Sequence, residues 1–127
     1  MQRETKQRDA IRLVFDENES PLLPNEVLKL AQKTVPTLSL ATVYRTLNAF
    51  VQEGMLRLVS LPAEAPRFER AGKHHHHHFV CRNCKKVFEV HACAGSMQKM
   101  VPAGFEMDDH EITLYGLCAD CSKQSKN

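Results

Sequence analysis

The sequence predicts an α+β chain in two parts, three helices with a β-hairpin and then a small α/β unit closed by a metal. Three observations carry this. Apolar residues recur at helical spacing as far as Phe50, and the pattern turns to extended chain after Gly54. Two C-x-x-C pairs, Cys81/Cys84 and Cys118/Cys121, bracket the second part. Five consecutive histidines, His74 to His78, run almost directly into the first of those pairs. The division is expected near residue 70, giving parts 1–70 and 71–127.

Residues 4–16 set Ile11, Leu13, Val14 and Phe15 in a polar helical pattern. Pro21 and Pro24 break it, and Asn25 is expected to cap a second helix over 26–33, whose region Pro36 ends. Ser39 or Thr37 caps a third over 40–53, and Gly54 stops it. Leu40, Val43, Leu47 and Phe50 form its buried stripe, which leaves Ala41, Thr42, Tyr44, Arg45 and Asn48 on other faces. Extended segments at 55–60 and 67–70 flank a turn-rich Leu61-Pro-Ala-Glu-Ala-Pro66. Three helices and a hairpin describe a winged helix-turn-helix, a DNA-binding domain whose third helix enters the major groove. A small helical bundle without a ligand fits the same periodicity. In the second part, strands are expected at the histidines with Phe79-Val80 and at 87–90. A helix follows over 94–101, then a strand over 111–115. Alone this unit buries too little apolar surface, so a metal or partner subunit is expected.

Composition bounds the function. The chain has 127 residues, 43% hydrophobic and 25% charged, which is ordinary for a folded domain or two small ones. No apolar stretch approaches the roughly 18 residues a membrane helix needs. The polar N-terminus is unlike a secretory signal, so a cytoplasmic location is expected. There thiols stay reduced, and paired cysteines more often hold metal than form disulfides. Net charge is only +2, and the whole excess lies in residues 1–73, with 11 Lys/Arg against 9 Asp/Glu.

The two C-x-x-C pairs are separated by 33 residues. Four thiolates suit tetrahedral zinc, and a closed four-sulfur set is structural rather than catalytic. Redox use of either pair is the alternative. Cys93 stands apart, as a buried small side chain or as a further ligand. Along an extended 74–80, His74, His76 and His78 face one way and His75 and His77 the other. One strand thereby offers imidazoles to two separate metal sites. Glu69, Glu89, His91, Cys93 and His110 are the candidates to complete them, and a solvated loop is the plain alternative.

Leu40-Ala-Thr-Val-Tyr-Arg-Thr-Leu47, Arg67-Phe-Glu69, the histidines leading into Cys81-x-x-Cys84, and His110 with Leu114-Tyr-Gly-Leu-Cys118 together resemble the ferric uptake regulator family. The resemblance runs from about Thr5 to Cys121. It implies a metal-dependent bacterial repressor, with a winged helix joined to a C-terminal α/β dimerisation domain. It further implies a homodimer on A/T-rich inverted repeats of double-stranded DNA. By position it assigns Cys81, Cys84, Cys118 and Cys121 to a structural zinc. Glu69, His76, His78 and Glu89 go to a regulatory site, and His75, His77 and His110 to a further site that His91 or Cys93 would complete. Tyr44 and Arg45 fall at DNA-contacting positions and Arg8 at a basic position near the backbone, while Ala41 and Thr42, which the buried stripe leaves on other faces of the third helix, are further DNA-binding candidates. Two departures stand out. Pro21-Leu22-Leu23 occupies the loop where many iron and peroxide sensors carry a histidine ligand, and Ser96 stands where a glutamate is common. Zinc is therefore the first expectation for the sensed metal, then ferrous iron, with manganese, nickel or peroxide sensing behind. No enzyme signature such as H-E-x-x-H appears, and neither a small-molecule substrate nor a membrane is expected. A metal-buffering protein is the rival reading.

Overall fold

The structure, a computed structural model, describes residues 2–72, 76–92 and 97–125. The chain divides into two compact units, Met1–Lys73 and His74–Asn127.

The first unit holds helices α1 (Gln2–Glu17), α2 (Pro24–Ala31) and α3 (Leu40–Gln52), then strands β1 (Leu56–Val59) and β2 (Arg67–Arg70). On α1, Ile11, Val14 and Phe15 are buried at the spacing of one helical face. Leu13 falls between them in sequence, turns outward and is exposed. Helix α2 begins two residues earlier than its sequence suggests. Pro24 takes the first helical position, where its missing N–H costs nothing, and Leu23 is the cap residue. The Glu26 carboxylate accepts from the Leu23 backbone N–H at 2.8 Å, so Asn25 is an ordinary first-turn residue and not the cap. Ser39 caps α3, its hydroxyl accepting from the Thr42 N–H at 3.2 Å. At the other end Gly54 adopts φ +80°, which lets the Met55 N–H reach back to the Phe50 carbonyl at 2.9 Å.

Val43, Leu47 and Phe50 from α3 meet Ile11, Val14 and Phe15 from α1, Val27 and Ala31 from α2, and Leu56 and Phe68 from the hairpin. Leu40, expected in the stripe, is only half-buried at the first turn. The antiparallel hairpin sets Arg57 opposite Glu69 and Leu58 opposite Phe68. Paired backbone bonds between Leu22 and Phe68, 2.9 and 2.8 Å, fasten β2 to the loop before α2. The buried Arg67 adds a bond from its guanidinium to Glu26 Oε1 at 3.1 Å.

The second unit is a three-stranded sheet in the order β4-β3-β5, with β3 (His77–Cys81), β4 (Val87–Val90) and β5 (Thr113–Gly116). β3 runs antiparallel to β4 and parallel to β5. The helix expected over 94–101 is not formed at its C-terminal end, where Gln98–Met100 makes one 3-10 turn. Pro102 prevents its continuation, and the Gln98 side chain instead bridges the Phe105 carbonyl and the Met107 N–H at 2.9 and 3.3 Å. A final helix, α4 (Ala119–Ser125), was not anticipated, because its polar sequence carries no apolar stripe. No helix among the described residues is long and apolar enough to cross a membrane.

Truncating the centre of the first unit tests this packing. Leu47→Ala should lower stability by about 2–5 kcal/mol in urea denaturation, the usual cost of a cavity at a fully buried leucine. Ser39→Ala should cost about 1 kcal/mol through its lost cap bond.

Candidate metal centres

Cys81 ends β3, and the turn that follows carries Cys84. Lys85 at φ +67° closes that turn, donating its N–H to the Cys81 carbonyl at 2.9 Å. Because β5 pairs in parallel with β3, Cys81 lies beside Gly116, and Cys118 and Cys121 follow at once at the start of α4. The four sulfurs can all lie within 4.8 Å of one another. Cys84 Sγ and Cys118 Sγ are 3.9 Å apart. A disulfide would need about 2.0 Å, whereas tetrahedral zinc with Zn–S of about 2.3 Å sets its sulfurs about 3.8 Å apart. The spacing fits zinc.

The donors around the sulfurs support thiolates. The Cys84 N–H points at Cys81 Sγ at 3.4 Å, and the Asn83 amide donates to Cys121 Sγ at 3.2 Å. The Cys84 backbone, followed by that of Cys118, brings the Cys81 thiol down to about 6 against the opposing effect of burial. At Cys121 the Asn83 amide lowers the pKa, but burial and the three neighbouring thiols outweigh it and hold it at about 11.

Upstream on the same strand, alternation sorts the histidines. His76 and His78 share one face, their ring centroids 5.0 Å apart. Glu89 is the direct partner of His78 across the antiparallel pair, so its side chain projects to that face. Its Oε1 lies 3.7 Å from His76 Nε2, and its Oε2 lies 3.6 Å from His91 Nε2. His91 therefore joins the His76–His78 face, not the group with His77 and His110 expected from sequence. The reason is the two-residue period, which puts 89 and 91 on one side of β4. His77 turns to the opposite face against His110, with centroids 5.1 Å apart, and its Nδ1 accepts from the Ile112 N–H at 3.1 Å. His75 and Cys93 lie outside the described residues.

In the first unit, Glu69 sits on β2 with its side chain fully buried, and its Oε2 receives the Arg57 Nε–H at 2.6 Å. Arg57 had not been singled out from sequence. The hairpin register that pairs them depends on the turn, and that was the only signal available. Tyr44, Arg45 and Ala41 are exposed on α3, with Thr42 tied to Ser39 Oγ at 3.0 Å and receiving Arg45 Nη2 at 3.1 Å. Gln7, Arg8, Thr42 and Arg45 line a groove of about 350 Å³ between α1 and α3. There Arg8 pairs with Glu53 at 3.0 Å, its guanidinium 4.8 Å from the Phe50 ring centre.

Residues 2–115 match the ferric uptake regulator family. The chain belongs to that family. It is 32% identical over 125 residues to the ferric uptake regulation protein of Campylobacter jejuni, covering 94% of this chain and 80% of that protein. The solved ferric uptake regulator of Francisella tularensis with iron is 28% identical, covers 91% of both chains and superposes with a TM-score of 0.72. A zinc-bound manganese uptake regulator gives a TM-score of 0.79 at 25% identity, covering 88% of this chain and 87% of its own. As a member, this protein is a metal-binding transcriptional repressor. Its four-cysteine set suits a structural zinc, and its histidine–carboxylate face suits a regulatory zinc or ferrous ion.

Zinc must displace the protons of those thiols, which sets the sign of the pH dependence. Cys81 is already ionised at neutral pH in the metal-free protein, and Cys121 is not. Zinc affinity should rise with pH from about 6 to about 11 and fall most steeply below about 6, where Cys81 protonates too. Competition with a chromophoric chelator at stepped pH checks this. Cys118→Ser should also remove one equivalent of zinc and lower the melting temperature.

Proposed function

We propose that this family member is a zinc-responsive repressor that binds A/T-rich inverted repeats of double-stranded DNA as a homodimer. The observation that carries the reading is the convergence of His76, His78 and Glu89 on one face of the strand that ends at the structural cysteines. Two neutral imidazoles beside a carboxylate form a borderline donor set, to which zinc is well matched. In this reading the regulatory ion takes Glu69 from the first unit together with His76, His78 and Glu89 from the second. Metal then raises DNA affinity by the difference between its affinities for the binding-competent and incompetent arrangements. A ligand set drawn from both units supplies such a difference.

The first unit supports the DNA half. Three helices and a hairpin have the make-up of a winged helix, with α3 as the recognition helix. Its exposed N-terminal residues Ala41, Tyr44 and Arg45 suit contacts to base edges and phosphates, and Arg8 suits the backbone. The second unit supports the dimer. β5 is an edge strand, and Leu114, Tyr115 and Leu117 along it and just beyond are exposed, a surface that suits a second copy of the chain.

Iron is the second reading, favoured by the relatives named for ferric uptake. Anisotropy of a labelled A/T-rich inverted repeat, with zinc, ferrous iron and manganese each at buffered free concentration, decides between them. Tightening at the lowest free zinc is expected. Tightening only with iron or manganese would reassign the sensor, and no response to any metal would leave a metal-buffering protein.

Replacing His76 and His78 together by alanine should abolish metal-stimulated DNA binding while the dimer persists in sedimentation. Arg45→Ala should weaken DNA binding with metal content unchanged, and should reduce the salt dependence by about one ion if the contact is to phosphate.

A further inference from the structure

The hairpin sets Arg57 directly across from Glu69, and the two side chains meet in a 2.6 Å bond from Nε to Oε2. The two ends of this pair are unequal. Glu69 is fully buried at its side chain, whereas Arg57 is 49% exposed. A buried carboxylate is costly unless a cation or several donors answer its charge. Arginine keeps its charge at every physiological pH, so it answers that charge without any metal present.

We propose that Arg57 is the counter-charge that competes with the regulatory ion for Glu69, and so sets how much free metal the site needs. The inference rests on Glu69 being a ligand of that ion. Arg57 stabilises the metal-free protein, because it holds a permanent positive charge 2.6 Å from a fully buried carboxylate. Once a divalent cation binds the same carboxylate, that neutralisation is redundant, and the guanidinium becomes a like charge held close to the metal. Both effects have the same sign. Each favours the metal-free form, so Arg57 weakens metal binding and raises the free concentration at which the site fills. Lysine at this position would keep the charge, and glutamine would remove it while keeping a hydrogen-bond donor.

The test uses the full chain with the structural zinc in place. Binding of the next equivalent of zinc is measured by chelator competition in wild type, Arg57→Gln, Arg57→Lys and Glu69→Gln. Melting temperatures are taken with and without that equivalent. Arg57→Gln should tighten the second zinc by roughly tenfold, the size of an outer-shell effect on a metal site. It should also lower the melting temperature before the second zinc is added and recover most of that loss after it. Arg57→Lys should stay near wild type, and Glu69→Gln should weaken the second zinc. If Glu69→Gln weakens binding but Arg57→Gln leaves it unchanged or weakens it too, the counter-charge role is overturned while Glu69 stands as a ligand. If Glu69→Gln leaves the second zinc untouched, Glu69 is no ligand, and the inference falls with that reading.

Discussion

The cysteine tetrad is the constraint on which the second unit depends. Its three short strands bury few apolar side chains, chiefly Val80 and Val87, beside the buried Cys81 and Cys121. A sheet of that size lacks the hydrophobic contribution needed to stand alone. Metal–thiolate bonds supply what the core does not, since a structural zinc contributes its binding free energy to folding. They also fix connectivity. Tying the β3–β4 turn to the start of α4 holds β5 against β3 in parallel, a pairing that needs a long crossover and has little local help.

With β3 pinned at Cys81, the histidines upstream lose their ambiguity. A strand has two faces, and one fixed residue decides which side each neighbour takes. His76 and His78 go to the face of Glu89 and His91, and His77 goes to the face of His110. Three like residues in a row, His76 to His78, thus become two chemically distinct groups. His77 is further committed by the Ile112 amide at its Nδ1, which favours the tautomer with the proton on Nε2. A run that looks redundant in one dimension is divided in three.

The first unit shows a complementary use of charge. Its core is apolar and continuous, but β2 carries two buried charged residues in succession around Phe68. Arg67 is matched by Glu26, the same carboxylate that caps α2, so one glutamate serves a helix start and a strand. Glu69 is matched by Arg57 from the neighbouring strand. Buried pairs of this kind contribute little net stability, and Arg67 also reaches the Pro21 carbonyl at 3.4 Å and Glu64 at 3.9 Å.

Much of this was legible in the sequence. Helical periodicity with Ser39 and Gly54 marked α3, and two C-x-x-C pairs are explicit about four thiolates. Strand alternation separated His76 and His78 from His77 before any coordinates. These signals are local, set by backbone geometry within a few residues. The cap of α2 was a local miss, since Pro24 at the first helical position and Glu26 bonded to the Leu23 N–H set the cap at Leu23 and not Asn25. Two other misses are long-range. His91 changed groups because its face depends on the register of β4 against β3. Arg57 was invisible because nothing in its neighbourhood names Glu69 as its partner. The sequence by itself determined most of the elements, though not α4 or the 3-10 turn at Gln98–Met100, and which side chains can bind metal. Only tertiary structure decided which of them meet, because register and crossover pairing are set by contacts between distant segments.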